Sequence, residues 1–285
     1  MLKIHDVIIG TARNFAERGL ASPRLDAECL LAHVLKTDRL HLYRHPEAYL
    51  TDEAASIFQT LAARRLRGEP VAYLLGRKEF WSLVFEVNEQ VLIPRPDTEC
   101  LVEECLKVCS AMPSAGFRIL DLGTGSGAVG IVLARELPHA HVVATDISPC
   151  AVAVARRNAE RNGVEQRMTF LAGHLFTPLS GKFDIIVSNP PYLSTQEFQM
   201  LPAGVRGYEP ASALLAGPEG TAFHEEIIAG CAEHLKAGGC LFLEIGSGQR
   251  ERVEALLAAA GFFEEIRSRR DYAGLDRAVM ARKRK

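Results

Sequence analysis

The spacing of apolar and polar residues changes character twice along the chain. From Ile4 to about Arg67 apolar residues recur at helical intervals, as in Leu30, Leu31, Val34 and Leu35. Ser22-Pro23 offers an N-cap and a first-turn proline, Thr51-Asp52-Glu53 a second start, and Gly68 a stop. Three or four short helices forming a small bundle over residues 1–70 are expected. Between Glu69 and Pro96, β-branched and aromatic residues take over (Phe80, Trp81, Val84, Phe85, Val87, Val91, Ile93). Polar Asn88-Glu89-Gln90 divides them into two runs, which predicts a β-hairpin linker over 71–96. From Asp97 onward, strands and helices alternate. The strands expected are Arg118 to Leu122, His141 to Asp146, Met168 to Ala172, Phe183 to Ser188 and Cys240 to Ile245, with two more around the turn Asp271 to Arg277. That order predicts an α/β domain over 97–285, a mostly parallel sheet with helices on both faces, ending in an antiparallel hairpin.

Composition narrows the function classes. The 285 residues, 48% hydrophobic and 24% charged, suffice for one large core or two modest ones. A formal net charge of −2, with a basic run only at Arg282 to Lys285, argues against a nucleic-acid partner. Seven cysteines without a C-x-x-C pair read as reduced core thiols. The amino terminus has no signal-peptide pattern and no apolar run is long enough to span a bilayer, so a cytoplasmic protein without membrane contact is expected. The histidines lack metal-ligand spacing, and no metal is expected.

The segment from Arg118 to Glu136 reads as strand, glycine turn and helix. Gly123, Gly125 and Gly127 let the backbone approach a ligand closely, and the helix that begins near Ala128 aims its free N–H groups there. Asp146 ends the next strand, about 20 residues on, where a carboxylate can accept from the two hydroxyls of a ribose. Gly125 to Gly130 also fits the G-x-G-x-x-G of nicotinamide enzymes. Asp121 tilts the reading, because it makes the motif D-x-G-x-G-x-G, which resembles that of class I S-adenosylmethionine-dependent methyltransferases. In those enzymes the acid lies near the methionine ammonium. A plain packing turn, with Asp146 capping the helix at Ser148-Pro149, is the alternative.

The apolar run Phe183 to Val187 ends in Ser188-Asn189-Pro190-Pro191-Tyr192. Ligands of open α/β sheets bind beyond the carboxyl ends of strands, where Asn189 falls. Its carboxamide oxygen and the Pro190 carbonyl are acceptors, and the two prolines stiffen the loop. Two acceptors suit a planar –NH2 group, and Tyr192 offers it an aromatic face. Such a nitrogen is a poor nucleophile until its lone pair leaves conjugation, so holding both hydrogens favours methyl transfer without a strong base.

Over essentially its whole length the chain resembles the bacterial-type protein-(glutamine) methyltransferases that modify peptide chain release factors. The resemblance is carried by SPRLDAECLLAHVL, EPVAYLLGRKEFW, VLIPRPDTE, DLGTGSGAVG, and SNPPY with RGYEP downstream. It implies a seven-stranded methyltransferase sheet and methyl transfer from S-adenosylmethionine to the glutamine nitrogen of a Gly-Gly-Gln loop. It further implies that Asp121 and Gly123, Thr124, Gly125, Ser126 and Gly127 hold the cofactor, Asp146 its ribose, and Asn189, Pro190, Pro191 and Tyr192 the glutamine amide, with Asn189 also beside the cofactor. Where the family commonly has Asp and an aromatic residue, this chain has His174-Leu175; His174 either contacts adenine through a ring nitrogen or is a loop residue. Arg95, Thr98 and Glu99 either order the mouth of the site or form a helix start. Glu209-Pro210 is either a lid support or a surface turn. A ribosomal-protein glutamine, a DNA adenine amino group and a non-enzymatic adaptor role are the competing readings.

Overall fold

A computed structural model describes residues 2–112 and 116–285. It divides into two compact units. The first is the chain up to Arg77 together with Pro202–Tyr208, and the second is Lys78–Leu201 with Glu209–Lys285.

The first unit contains helices α1 (Ile4–Glu17), α2 (Pro23–Val34), α3 (Arg39–Arg44), α4 (Asp52–Leu66) and the short α5 (Val71–Leu75). Asp38 and Thr51 cap α3 and α4 through their side-chain oxygens, and Pro23 opens α2. Their inward faces bury Phe15, Leu30, Leu31 and Phe58 in one core. Glu28, buried among them, accepts from Arg24, Arg39 and the Tyr43 hydroxyl, so its desolvation is met by three donors.

Strands β1 (Arg77–Phe80) and β2 (Leu83–Glu86) form the hairpin, which from Lys78 onward belongs to the second unit. Its turn is Trp81-Ser82, both with positive φ (54° and 56°), not Asn88-Glu89-Gln90 as the polar cluster suggested. A two-residue turn of that hand normally uses Asn or Gly, so Trp81 hides it in the sequence. Glu99 accepts from the Trp81 backbone N–H and Glu136 from its indole, which hold the turn from outside. Asn88 instead turns the chain after the hairpin, accepting from the N–H of Val91 and, through its side chain, of Gln90.

The remaining elements are α6 (Glu99–Ala111), β3 (Arg118–Leu122), α7 (Ala128–Glu136), β4 (His141–Asp146), α8 (Pro149–Arg161), β5 (Met168–Ala172), β6 (Phe183–Ser188), α9 (Thr195–Met200), α10 (Ala203–Arg206), α11 (Ala222–His234), β7 (Leu235–Glu244), α12 (Arg250–Ala259), β8 (Phe263–Arg270) and β9 (Asp276–Lys283). Of these, α10 lies in the first unit. The sheet order is β5-β4-β3-β6-β7-β9-β8; β3 to β7 pair in parallel, and β9 is antiparallel to both neighbours. Alternate strand residues enter opposite cores. Ile119, Val142 and Ile185 meet α6 to α8, whereas Leu120, Val143 and Ile186 meet α11 and α12. Both faces are thus covered, as a parallel sheet requires. One strand starts earlier than its apolar run suggested. β7 begins at Leu235, opposite Phe183, and shifts register before Cys240 meets Ile185, so the Gly238-Gly239 stretch is an irregularity inside a strand and not its boundary.

The chain lays β3, β4 and β5 outward in one direction and then returns to place β6 on the other side of β3. The crevice between β3 and β6, beyond their carboxyl ends, is where such sheets bind ligands.

Candidate active site

A cavity opens at that switch point. Its floor is the turn after β3, where Gly123, Gly125 and Gly127 all have positive φ. A Cβ at Gly123 or Gly125 would meet no protein atom within 4 Å, so both face open space that a ligand can fill. Gly127 stands outside the lining and serves packing: a Cβ there would come 2.7 Å from Ile131 Cδ1. Thr124 and Ser126 also line the cavity, and the turn is closed by bonds from Thr124 N–H to the Thr145 carbonyl and Gly127 N–H to the Thr124 carbonyl.

Two carboxylates bound this half. Asp121 is buried, and its Oδ2 accepts from the Thr124 hydroxyl (2.6 Å) and the Gly130 N–H (3.0 Å). Both bonds fall on one oxygen, so Oδ1 is left for a cationic group. Burial pushes Asp121 up to about 6 despite those donors. The α7 amide at Gly130 is spent on this acid, and a second acid lines the same turn. An anionic pyrophosphate is therefore disfavoured here, whereas an ammonium or sulfonium fits. Asp146, ending β4, accepts from Gly125 N–H through Oδ2 and Ser148 N–H through Oδ1, both at 2.9 Å. Burial raises it as well. Each oxygen keeps a further acceptor site, enough for two hydroxyls. The cap of α8 is Ser148, whose hydroxyl accepts from Ala151, so Asp146 is not needed for that role.

His174 and Leu175 line the cavity farther along, where Leu175 takes φ 44°, a conformation that bulky residues adopt rarely. His174 Nε2 lies 2.7 Å from Glu226 Oε2. A carboxylate only accepts, so Nε2 carries the proton and a neutral ring presents Nδ1 as an acceptor. Ile147 and Phe223 complete the apolar wall; Ile147, next to Asp146, is 62% exposed because it faces this cavity. Neither stood out in the sequence, since one isolated apolar residue after a strand carries no periodic signal.

Opposite lies the end of β6. Asn189, Pro190 and Pro191 line the cavity; Tyr192 stands outside that lining, half-buried. Burial pushes its phenol up to about 12, with Glu244 adding to the effect. Asn189 Nδ2 donates to Thr98 Oγ1 at 3.1 Å. Thr98 is buried at the end of a 3₁₀ turn begun by Pro96, so the helix-start and cavity-wall readings of this stretch both describe it. Glu99 is turned to the hairpin through its bond from Trp81 N–H. Arg95 lines the cavity and pairs with buried Glu209 at 2.5 Å; Glu209 also accepts from Ile93 N–H. Glu209 is therefore an interior brace, not part of a surface turn.

Two braces gave no sequence signal. Gln249, after β7, donates to the Tyr192 carbonyl (2.8 Å) and the Gly220 carbonyl (3.2 Å) and accepts from Gly246 N–H (2.8 Å). Asn158, on α8, donates to the Ser126 and Glu86 carbonyls and accepts from Glu86 N–H, tying the glycine turn to the hairpin. Among the described residues no three His, Cys, Asp or Glu side chains form a metal-binding group, and no helix is long and apolar enough to cross a membrane.

Comparison with known proteins agrees with this architecture. Residues 6–76 match the family described as PrmC N-terminal domain, and residues 100–203 that described as Methyltransferase small domain. The chain is 42% identical over 280 residues to the release factor glutamine methyltransferase of Geobacter sulfurreducens, covering 98% of this chain and 96% of that one. It is 44% identical over 273 residues to the protein of the same name from Moorella thermoacetica, covering 95% of each. A methyltransferase crystal structure from Pyrococcus furiosus, at 20% identity, shares the fold with a TM-score of 0.52 over 80% of this chain and 100% of that one.

Proposed function

The chain belongs to the release factor glutamine methyltransferase family, and from that premise we propose that its cavity binds S-adenosylmethionine and presents it to the glutamine side chain of a Gly-Gly-Gln loop in a peptide chain release factor. The observation that carries this reading is the meeting of Asn189-Pro190-Pro191 with the Asp121 and Asp146 turn in one cavity. S-adenosylmethionine supplies a methyl carbon activated by the attached sulfonium.

Each residue then has a task. Asp121 Oδ1 accepts the ammonium, Asp146 the ribose hydroxyls, and His174 Nδ1 the adenine amino group. Asn189 Oδ1 and the Pro190 carbonyl accept the two N–H bonds of the glutamine amide. With both protons held, the nitrogen lone pair can rotate out of conjugation with its carbonyl, and Pro190-Pro191 keep the acceptors from following it back. Methylation makes the nitrogen acidic, so its proton leaves late and no strong base is needed. Tyr192, which stands outside the lining, supports the tetrapeptide through its carbonyl, which accepts from Gln249.

Because the same acceptors fit an adenine amino group, the test has three arms. The protein is incubated with methyl-labelled cofactor and a purified release factor, its Gln→Ala loop variant, or plasmid DNA. Label in the intact release factor alone is expected. Label in DNA, or label that survives the Gln→Ala change, overturns the reading.

A further inference from the structure

Asn189 can serve the amide only if its oxygen, not its nitrogen, faces the cavity. Thr98 alone does not fix that choice, because a hydroxyl can donate or accept and would satisfy either end of the carboxamide. Something must give the pair a direction.

We infer that Glu244 is the positioning residue that sets the orientation of the Asn189 carboxamide, acting both directly and through the Thr98 hydroxyl. The β6–β7 register places Leu243 opposite Ser188, which brings Glu244 beside Asn189 at the strand ends. Glu244 is 1% exposed, and the Thr98 and Asn189 side chains lie near enough to its carboxyl to favour its charged form. An ionised carboxyl can only accept. With its O–H turned to that carboxylate, Thr98 offers its lone pairs to Asn189, and the end of Asn189 that meets Thr98 is then nitrogen, as their 3.1 Å bond has it. Oδ1 is then left facing the substrate. Glu244 Oε2 is buried with no protein partner, so the carboxyl is not held in place by a bond of its own on that side.

The groups around Glu244 are Thr98, Asn189, Tyr192, Asp97 and Arg277, with His224 Nε2 bonded to its main-chain carbonyl. Burial pushes Glu244 up to about 7. Protonation would give it an O–H that can donate to Thr98 and reverse the relay, so turnover should fall as pH drops through about 7.

The inference rests on the methyltransferase reading above, and the experiment separates the two. Turnover is measured under saturating cofactor with the release factor, for wild type, Glu244→Leu, Glu244→Gln, Asn189→Ala and the Glu244→Leu/Asn189→Ala double variant, with cofactor Kd and Tm alongside. Glu244→Leu is expected to lower kcat at least about tenfold while cofactor Kd stays within about threefold. In the Asn189→Ala background the same change should cost nothing further, because the two act as one unit. Glu244→Gln should lose the limb of the kcat–pH profile near 7. If the leucine variant does not fold, Thr98→Val and Glu244→Gln carry the same cycle. An inactive wild type would sink the reading itself. An active wild type whose folded Glu244 variants turn over normally, or lose activity additively with Asn189→Ala, overturns the inference alone.

Discussion

The glycine-turn half of the cavity is held by residues of the three elements that follow one another in the chain, whereas the Asn189 half is held by side chains from far along it. Asp121 reaches Thr124 and Gly130, and Asp146 reaches Gly125 and Ser148. Asn189 depends on Thr98, and the Tyr192 carbonyl on Gln249. The first half forms once β3, β4 and the helices after them are in place. A half made of distant bonds forms only when the whole sheet has closed, and it holds its acceptors stiffly because independent elements fix each one. The difference suits the tasks proposed for them: one binds a flexible cofactor, the other must present two oxygens in fixed directions.

Mutations should separate the halves. Asn189→Ala should have the largest effect, a fall of about 100-fold or more in single-turnover rate, with cofactor affinity by calorimetry nearly unchanged. Equal losses in both would mean that the two halves are not distinct. Next comes Asp121, in the opposite sense. With its carboxyl near 6, half of it is protonated at that pH and cannot pair with an ammonium. Cofactor Kd should therefore tighten about tenfold between pH 5 and 7 and then level off, a dependence that Asp121→Asn removes; turnover under saturating cofactor should not follow it. Gln249→Ala releases the Tyr192 carbonyl and should slow turnover about fivefold to tenfold while leaving cofactor Kd alone, which equilibrium binding and initial rates on one preparation would check. Smallest is His174→Ala, expected to weaken cofactor binding about threefold, since the Glu226 pair it breaks is solvent-exposed; a similar loss for sinefungin, which keeps the adenine, would tie the effect to the base.

This asymmetry also explains what could be read from the chain alone. The parallel sheet, its strand limits from Arg118 to Ser188, Asp121, the three glycines and Asp146 are all carried by period and by short-range motifs. The tetrapeptide at Asn189 was equally legible as a motif. Its braces were not, because nothing in the sequence around Glu244 or Gln249 records that they fold back onto residues 55 or more positions away. Where the local signal misleads, the cause is local. Trp81-Ser82 makes a turn with residues that turns avoid, and Gly238-Gly239 interrupts β7 without ending it. The helix α9 is, at six residues, too short to show a period, and only Ser194 and Glu197, which form a capping box, mark it.

The segment Pro202–Tyr208 has a practical bearing on how this protein can be taken apart. It follows α9 directly, yet it belongs with the amino-terminal helices. The Tyr208 hydroxyl bonds to the Arg67 carbonyl, and a Cβ on Gly204 would come 2.5 Å from the Gly68 carbonyl. Scission at Arg77 would thus not yield two clean fragments. The carboxyl-terminal piece would carry a stranded loop stripped of its packing partners, and the amino-terminal piece would lack a strip of its own surface, so neither half is a faithful stand-in for the intact enzyme.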